Sequence, residues 1–437
     1  MAKIDREPRA LKRFRESPRP FRVEPRIQAY AWGSPSAESR ILRFLSRDPS
    51  EPGLPERIAE LWFGAHPKNP GRVCLGRASI DLRAFAEVAG ECLLGPGRAG
   101  LGQLFKILDA REPLSLQLHA RAKPDSKNEC WIVPIDIPRL EAGMGDATIA
   151  DITLGFRLIE EIDEESLPMF KAAYKAQPTA AAAEAFHVQR YRQALNRGQT
   201  DPAGTEIMAF HNRIEVRRQN GEAEILINGK KMSSEEKGRL GLPQNPLVVN
   251  IPGGTPHALS GGVIFELQET GDRTLRLYDR GRNDPARPLH VEEAVSVLDF
   301  TPRAAADYLV APIAVGPWTT NLIRTPHFAM DLVNMPRCAD VEGRREEVGM
   351  SGSCQMLIVA EGAGRLIFRP RGAKRNRALE IRKAETLIVP AALGGYRIEG
   401  GSSGLAVFKA YEPSPEEITA ARECRGLRHF WDEEGFF

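Results

Sequence analysis

The sequence predicts a mainly β protein, two all-β units joined through a helical insertion, and three observations carry that expectation. Short alternating or wholly apolar runs recur along most of the chain, separated by turn clusters containing Gly and Pro. Between Ile159 and Leu195 they give way to "IEEIDEESLPMFKAAYKAQPTAAAAEAFHVQRYRQAL", rich in Ala, Glu, Lys and Arg at helical spacing. Laying "VVNIPGGTPHALSGG" on "TLIVPAALGGYRIEGG" at an offset of 138 puts Pro252 on Pro390 and His257 on Gly395, a repeat whose second copy lacks the histidine.

The elements follow in order. The first 27 residues hold nine Lys or Arg against four Asp or Glu and are rich in Pro, so residues 1–20 are expected to form a basic, flexible, solvated arm. Strand-like pieces then run through "FRVEPRIQAYAWG", "IAELWFG", "LFKILDA" and "LSLQLHA". Two helices interrupt them, "SAESRILRFLS" and "IDLRAFAEVA", where Ser or Asp caps an apolar repeat of three and four. A first unit therefore spans 21–158 and 196–302, with the helical insertion over 159–195. Strand signals resume in "LVVNIPGGTPHAL", "VIFELQE" and "TLRLYD". The second unit, 303–437, contains "MLIVAEGAGRLIFRP", "ALEIRKAETLIVPAALGGYRIEG" and "LAVFKAY", punctuated as hairpins and barrel corners require.

Composition excludes several classes of function. A formal charge of +2 from 60 basic and 58 acidic residues gives no call for nucleic acid. No apolar run approaches the roughly 18 residues of a membrane span, and no apolar leader core precedes a cleavage site, so a cytoplasmic protein is expected. Cys74, Cys92, Cys130, Cys338, Cys354 and Cys424 form no CxxC pair, which fits reduced thiols and assigns any metal to other ligands. "GPGRAG" at 95–100 satisfies GxGxxG but contains Pro96 and precedes a strand rather than opening a helix. No GxxxxGK[ST] loop, GxSxG elbow or HExxH helix occurs, and the basic run from Arg369 to Arg377 reads as an exposed hairpin tip.

The chemistry concentrates in "LSLQLHARAKPDSKNECWIV". Strand alternation sends Leu114, Leu116 and Leu118 to one face and Ser115, Gln117 and His119 to the other. Zinc takes His nitrogen and Glu oxygen, and Gln117, His119, Glu129 and His257 supply such a set. Each also has a plainer reading, since a strand histidine is more often a hydrogen-bonded core residue and glutamine is an uncommon ligand. Spacing alone leaves both open.

In this order, "PLSLQLHA", "KNECWIV", "VNIPGGTPHALSGG", "FELQETGDRTLRLYDRGR" and "RPLHVEEAVSVL", with "QAYAWGS" and "AELWFGAHPKNP" upstream, resemble the signature blocks of the type I phosphomannose isomerases, zinc-dependent cupins. The resemblance covers Phe21 to Val133 and Leu247 to Phe300, and more weakly Cys354 to Tyr411. It implies two cupin (jelly-roll) barrels, the second metal-free, and one zinc held by Gln117, His119, Glu129 and His257. Arg276 falls on the family's catalytic arginine, and Ser115 and Lys127 fall on its phosphate-contacting positions. The reaction so implied interconverts mannose 6-phosphate and fructose 6-phosphate through an enediol.

Residue chemistry adds two candidates for moving the proton. Glu266 in "VIFELQE" is one, and Lys127 its rival. Arg280 and Arg282 cluster with Arg276 and suit phosphate, against the plainer reading of a solvated turn that Asp272 and Asp279 neutralise. Two departures bear on the substrate: Ala120 stands where the family has Pro, and only nine residues separate His119 from Glu129. A cupin that binds or senses a sugar phosphate, or isomerises another aldose phosphate, is the alternative, and the retained Arg276 favours the enzyme. The partner expected is a small sugar phosphate, with neither nucleic acid nor membrane; the oligomeric state stays open, monomer included.

Overall fold

The computed structural model describes residues 9–75, 78–121, 126–135, 148–158, 161–162, 172–173, 175–177, 179–198, 205–220, 222–242, 245–271, 273–282, 284–338, 344–350 and 352–419. Two large antiparallel sheets organise them, one of 13 strands and one of 11. The expected mainly β class is observed, and the expected boundary at 302/303 is not a boundary of either sheet. Phe21–Glu24, Arg72–Leu75 and Ala78–Asp81 belong to the sheet otherwise built by the C-terminal part, with Phe21 paired to Ile388 and Val23 to both Thr386 and Val73. In return Leu309–Val310 extends the other sheet by pairing with Leu247–Ile251. Strand pairing is free to join segments distant in sequence, which composition along the chain does not register.

One long strand, His257–Glu269, is the spine of the 13-stranded sheet. Its first half lies between Thr148–Phe156 and Leu116–His119, its second half between Glu129–Val133 and Gln103–Ala110. His257 is therefore flanked by Leu154 and Gln117, and Glu266 by Trp131 and Lys106. Nine residues apart, these two side chains would leave a regular strand on opposite faces. A register shift resolves this: Leu259 pairs with Ile152 but Gly261 with Asp151, so one extra residue is inserted and the alternation inverts. Gly262 makes the bulge feasible, since it takes φ +107° and a Cβ there would lie 2.1 Å from the Ile149 carbonyl oxygen.

The other face of that strand packs against the C-terminal sheet. Phe265 stacks on Phe105 with centroids 5.8 Å apart, and both meet Phe408, at 5.0 and 5.8 Å. All three are fully buried, each contributing roughly 1.5–3 kcal/mol by burial.

The N-terminal segment departs from the expected solvated arm. Arg9–Glu16 is an α-helix, and Leu11 and Phe14, three residues apart on one face, are buried. Phe14 meets Phe21 and Phe85 edge to face at 5.7 and 5.1 Å, which pins the helix against Leu82–Ala89. The charge count hid an amphipathic stripe; residues 1–8 lie outside the described part. The two capped helices occur at Arg40–Leu45 and Leu82–Ala89, with Ser39 and Asp81 as caps. The helical insertion is represented by Ala180–Gly198, much of the remainder of 159–195 falling outside the described residues. Among the described residues no helix is long and apolar enough to cross a membrane.

Candidate metal centre

Three neighbouring strands bring the site together. Leu116–His119 carries Gln117 to the wall of a cavity and His119 to Glu129, and buries Leu116 and Leu118 in an apolar cluster on its other side, the alternation expected from sequence; Leu114, expected with those two leucines, lines the cavity instead. Glu129 opens the strand Glu129–Val133. His257 opens the spine strand rather than sitting in the loop before it. Their ligand atoms converge: His257 Nε2 lies 3.0 Å from Glu129 Oε1 and His119 Nε2 lies 3.3 Å from Glu129 Oε2. All three side chains are 1% exposed, and one atom from each falls within 4.8 Å of the others.

Both imidazoles are oriented by their other nitrogen. His119 Nδ1 lies 3.0 Å from the Arg273 carbonyl oxygen and His257 Nδ1 2.9 Å from that of Thr255, so each donates there and turns an Nε2 lone pair inward. The turn before His257 is pressed onto the end of the His119 strand. Gly254 N donates to the His119 carbonyl at 2.8 Å, and a Cβ on Gly253 would sit 2.7 Å from the Ala120 oxygen.

The donor set fits a divalent cation. Glu129 Oε1 and His257 Nε2 are buried without a hydrogen-bond donor, a costly arrangement unless a cation is coordinated, while Glu129 Oε2 has Lys127 Nζ at 2.9 Å. Burial, then the neighbouring Lys127, push His119 down to about 4, leaving it neutral and able to ligate. Burial alone would raise the Glu129 carboxyl, yet Lys127 and the two imidazoles hold it well below the usual carboxylate range. Lys127 Nζ stands 2.9 Å from Glu129 Oε2 and 3.0 Å from His119 Nε2, so positive charge already gathers at these atoms. Gln117 is beside them, paired across the sheet with both His257 and Arg276, its Oε1 accepting from Ser115 Oγ at 3.0 Å.

Residues 20–136 match the family model of phosphomannose isomerase type I, catalytic domain. Over this segment the chain is similar to a type I phosphomannose isomerase catalytic domain. The mannose-6-phosphate isomerase of Salmonella typhimurium is 25% identical over 382 residues, 79% of this chain and 91% of that protein. That of Escherichia coli is 40% identical over 98 residues, 21% of this chain and 24% of its own length. The crystal structure of the Salmonella enzyme bound to substrate (f6p) and zinc superposes with a TM-score of 0.62 at 19% identity, covering 90% of this chain and 99% of that one.

The matched segment supplies Ser115, Gln117, His119, Lys127 and Glu129, and the fold adds His257, Glu266 and Arg276 from beyond it. A cavity of about 440 Å³ is lined by Ser115, Gln117, Lys127, Glu266 and Arg276, with Tyr30, Trp62, His66, Lys106 and Arg287 among the others, and Lys127 joins it to Glu129. Glu266 is in its wall, 3.9 Å from Lys127 Nζ. Burial raises the Glu266 carboxyl while Lys106 opposes the rise. Arg276 also faces the cavity, its Nε buried without a partner. His66 lines the cavity edge-on to Trp62 at 4.8 Å.

Two parts of the site were not read from sequence. Lys106, 7% exposed, donates to Glu266 Oε1 at 3.0 Å and lies 3.9 Å from Glu60 Oε2, which also accepts from Trp62 Nε1. Its signal was a lysine between Leu104 and Leu108 on one face of "LFKILDA". The arginine cluster also divides differently. Arg280 donates to the Leu114 carbonyl and Ser260 Oγ, and Arg282 to the Pro113 carbonyl and Asp279 Oδ1, so both brace the loop before the metal strand. Arg287 reaches the cavity instead, held by both oxygens of Asp279 at 3.1 Å. Asp272 lies outside the described residues.

Proposed function

We propose that this protein is a zinc-dependent aldose–ketose isomerase that interconverts mannose 6-phosphate and fructose 6-phosphate through an enediol. One zinc per chain is held by Gln117, His119, Glu129 and His257. The observation that carries the reading is the buried His119–Glu129–His257 cluster, with unpartnered ligand atoms, beside a cavity walled by lysine and arginine. The names and the bound zinc and substrate of the Salmonella relative support it.

Zinc bound there supplies Lewis acidity toward the sugar oxygens between which hydrogen moves. Glu266 takes the proton from the carbon beside the carbonyl and returns it to the neighbouring carbon. Burial raises its carboxyl, which makes the carboxylate a stronger proton acceptor, and Lys106 fixes its orientation. Lys127, 3.9 Å away, is the second proton carrier in reach. Arg276 stabilises the enediolate, a contribution of about 3 kcal/mol for a preorganised donor. Ser115, Lys127 and Arg276 bind the sugar phosphate, and Arg287 adds a second guanidinium to the same cavity. Cys92, Cys338 and Cys354, free among the described residues, support a reducing, cytoplasmic setting.

The test is a coupled isomerase assay with mannose 6-phosphate on the purified chain, before chelation, after it, and after zinc is restored. Turnover that zinc restores supports the reading. Zinc uptake without turnover on this or a neighbouring aldose phosphate would replace it with a binding role.

A further inference from the structure

Among the described residues the C-terminal sheet presents no cluster of metal-ligating side chains, yet one of its residues reaches the supports of the metal centre. His327 occupies the tight turn between the strands Thr319–Arg324 and Ala329–Met335. The turn is closed on itself: Thr325 N donates to the Phe328 carbonyl at 2.9 Å, and Thr325 Oγ1 accepts from His327 N and Phe328 N, each at 3.1 Å. The ring leaves its own sheet and brings Nδ1 to 2.9 Å from Glu269 Oε1, with the two side chains 9% and 13% exposed.

Glu269 ends the spine strand, and its second oxygen is committed elsewhere. Oε2 accepts from Asn128 N at 2.9 Å and from Asn128 Nδ2 at 2.8 Å, while Glu269 N donates to the Asn128 carbonyl at 3.1 Å. Asn128 stands between Lys127 and Glu129. Its own Oδ1 accepts from Gly253 N at 2.8 Å, in the turn that leads to His257. A single path of hydrogen bonds, charge-assisted where it passes through Glu269, thus runs from the C-terminal sheet to both segments that carry buried ligands.

We infer that His327 is a positioning residue: by orienting the Glu269 carboxylate it fixes Asn128, and with it the separation of Glu129 from His257. The C-terminal sheet is then a clamp on a metal centre to which it contributes no ligand. The inference rests on the zinc reading above and adds a residue that the reading does not need. A carboxylate held at both oxygens cannot rotate; freed at Oε1, it exchanges one partner for water and Asn128 follows it. Outer partners of this kind commonly alter metal affinity 10–100-fold.

The experiment compares the parent chain with His327→Ala and His327→Asn. Asn is the conservative replacement, since its side-chain amide nitrogen can occupy the place of Nδ1. Zinc release is followed after mixing each loaded protein with excess chromophoric chelator, and amide hydrogen exchange at Asn128 and Gly253 is followed in the zinc-free proteins. His327→Ala should release zinc about tenfold faster, should lose protection at both amides, and should lower kcat with KM retained. His327→Asn should return all three toward the parent. Release and exchange equal to the parent in His327→Ala would overturn the clamp, as would a general loss of stability that Asn fails to correct. A parent chain that takes up no zinc would overturn the proposed function instead, and the exchange measurement would still decide whether His327 positions Asn128.

Discussion

Lys106 and Glu266 face each other on adjacent strands, Nζ 3.0 Å from Oε1, with both side chains less than a tenth exposed. Burial alone would depress the lysine, yet the carboxylates of Glu266 and Glu60 hold it above its ordinary value, and burial raises the Glu266 carboxyl while Lys106 opposes that rise. Removing one partner leaves a buried charge. Lys106→Met should therefore destabilise the fold by about 3–5 kcal/mol, and Lys106→Met combined with Glu266→Gln should recover most of that loss without recovering activity. Urea denaturation of the two singles and the double is the measurement.

If Glu266 moves the proton, Glu266→Gln keeps the shape of the wall and loses the base. The expected result is a kcat lowered by about 10²–10⁴, with KM within a few-fold of the parent and zinc content unchanged. An unchanged pH–rate profile would leave Glu266 with a structural role and Lys127 as the carrier.

Ligation and charge stabilisation separate by zinc content. His257→Ala removes one ligand and should lower zinc stoichiometry and activity together. Arg276→Ala leaves His119, Glu129 and His257 in place and should keep zinc while reducing kcat about 10²–10³-fold. Metal analysis beside the coupled assay distinguishes the two patterns.

Acid should weaken the fold through histidines that take no part in the site. His211 and His187 are buried beside Phe156, and burial holds both down to about 4, against 6.5 in a solvated chain. Between those values the unfolded chain binds the proton and the folded chain does not. Stability is therefore whole above pH 6.5 and falls as pH drops toward 4, by about 2 kcal/mol per histidine at pH 5. His187→Leu should flatten that dependence by one proton in denaturation curves collected from pH 7 to 4.5.

Much of the site was legible because strand alternation is a local rule. Ser115, Gln117 and His119 stand on one face as their spacing implies, and the order of the blocks pointed to Glu129 and His257, which the fold brings to His119. Glu266 was placed by its neighbours Phe265 and Leu267, although its register with His257 depends on the bulge near Gly261, which alternation does not reveal. Arg280 and Arg282 could not be told from Arg287, because the left-handed turn at Arg280, φ +58°, decides which guanidinium reaches the cavity. The helix at Arg9–Glu16 was hidden by its charge, and the pairing of Phe21–Glu24 with Thr386–Val389 was hidden by distance along the chain.

That last pairing sets a timetable for the newborn polypeptide. Phe21–Glu24 lies between Thr386–Val389 and Arg72–Leu75, so only one of its edges can be covered early. At ribosomal speeds of about 5–20 residues per second, the partner for the other edge emerges roughly 20–70 seconds later. Throughout that interval an open strand edge is available to any neighbouring chain. A strand made early is thus among the last to be sealed, and the yield of native protein in a cell should depend on holdase chaperones that shield Phe21–Glu24 until Thr386–Val389 has emerged.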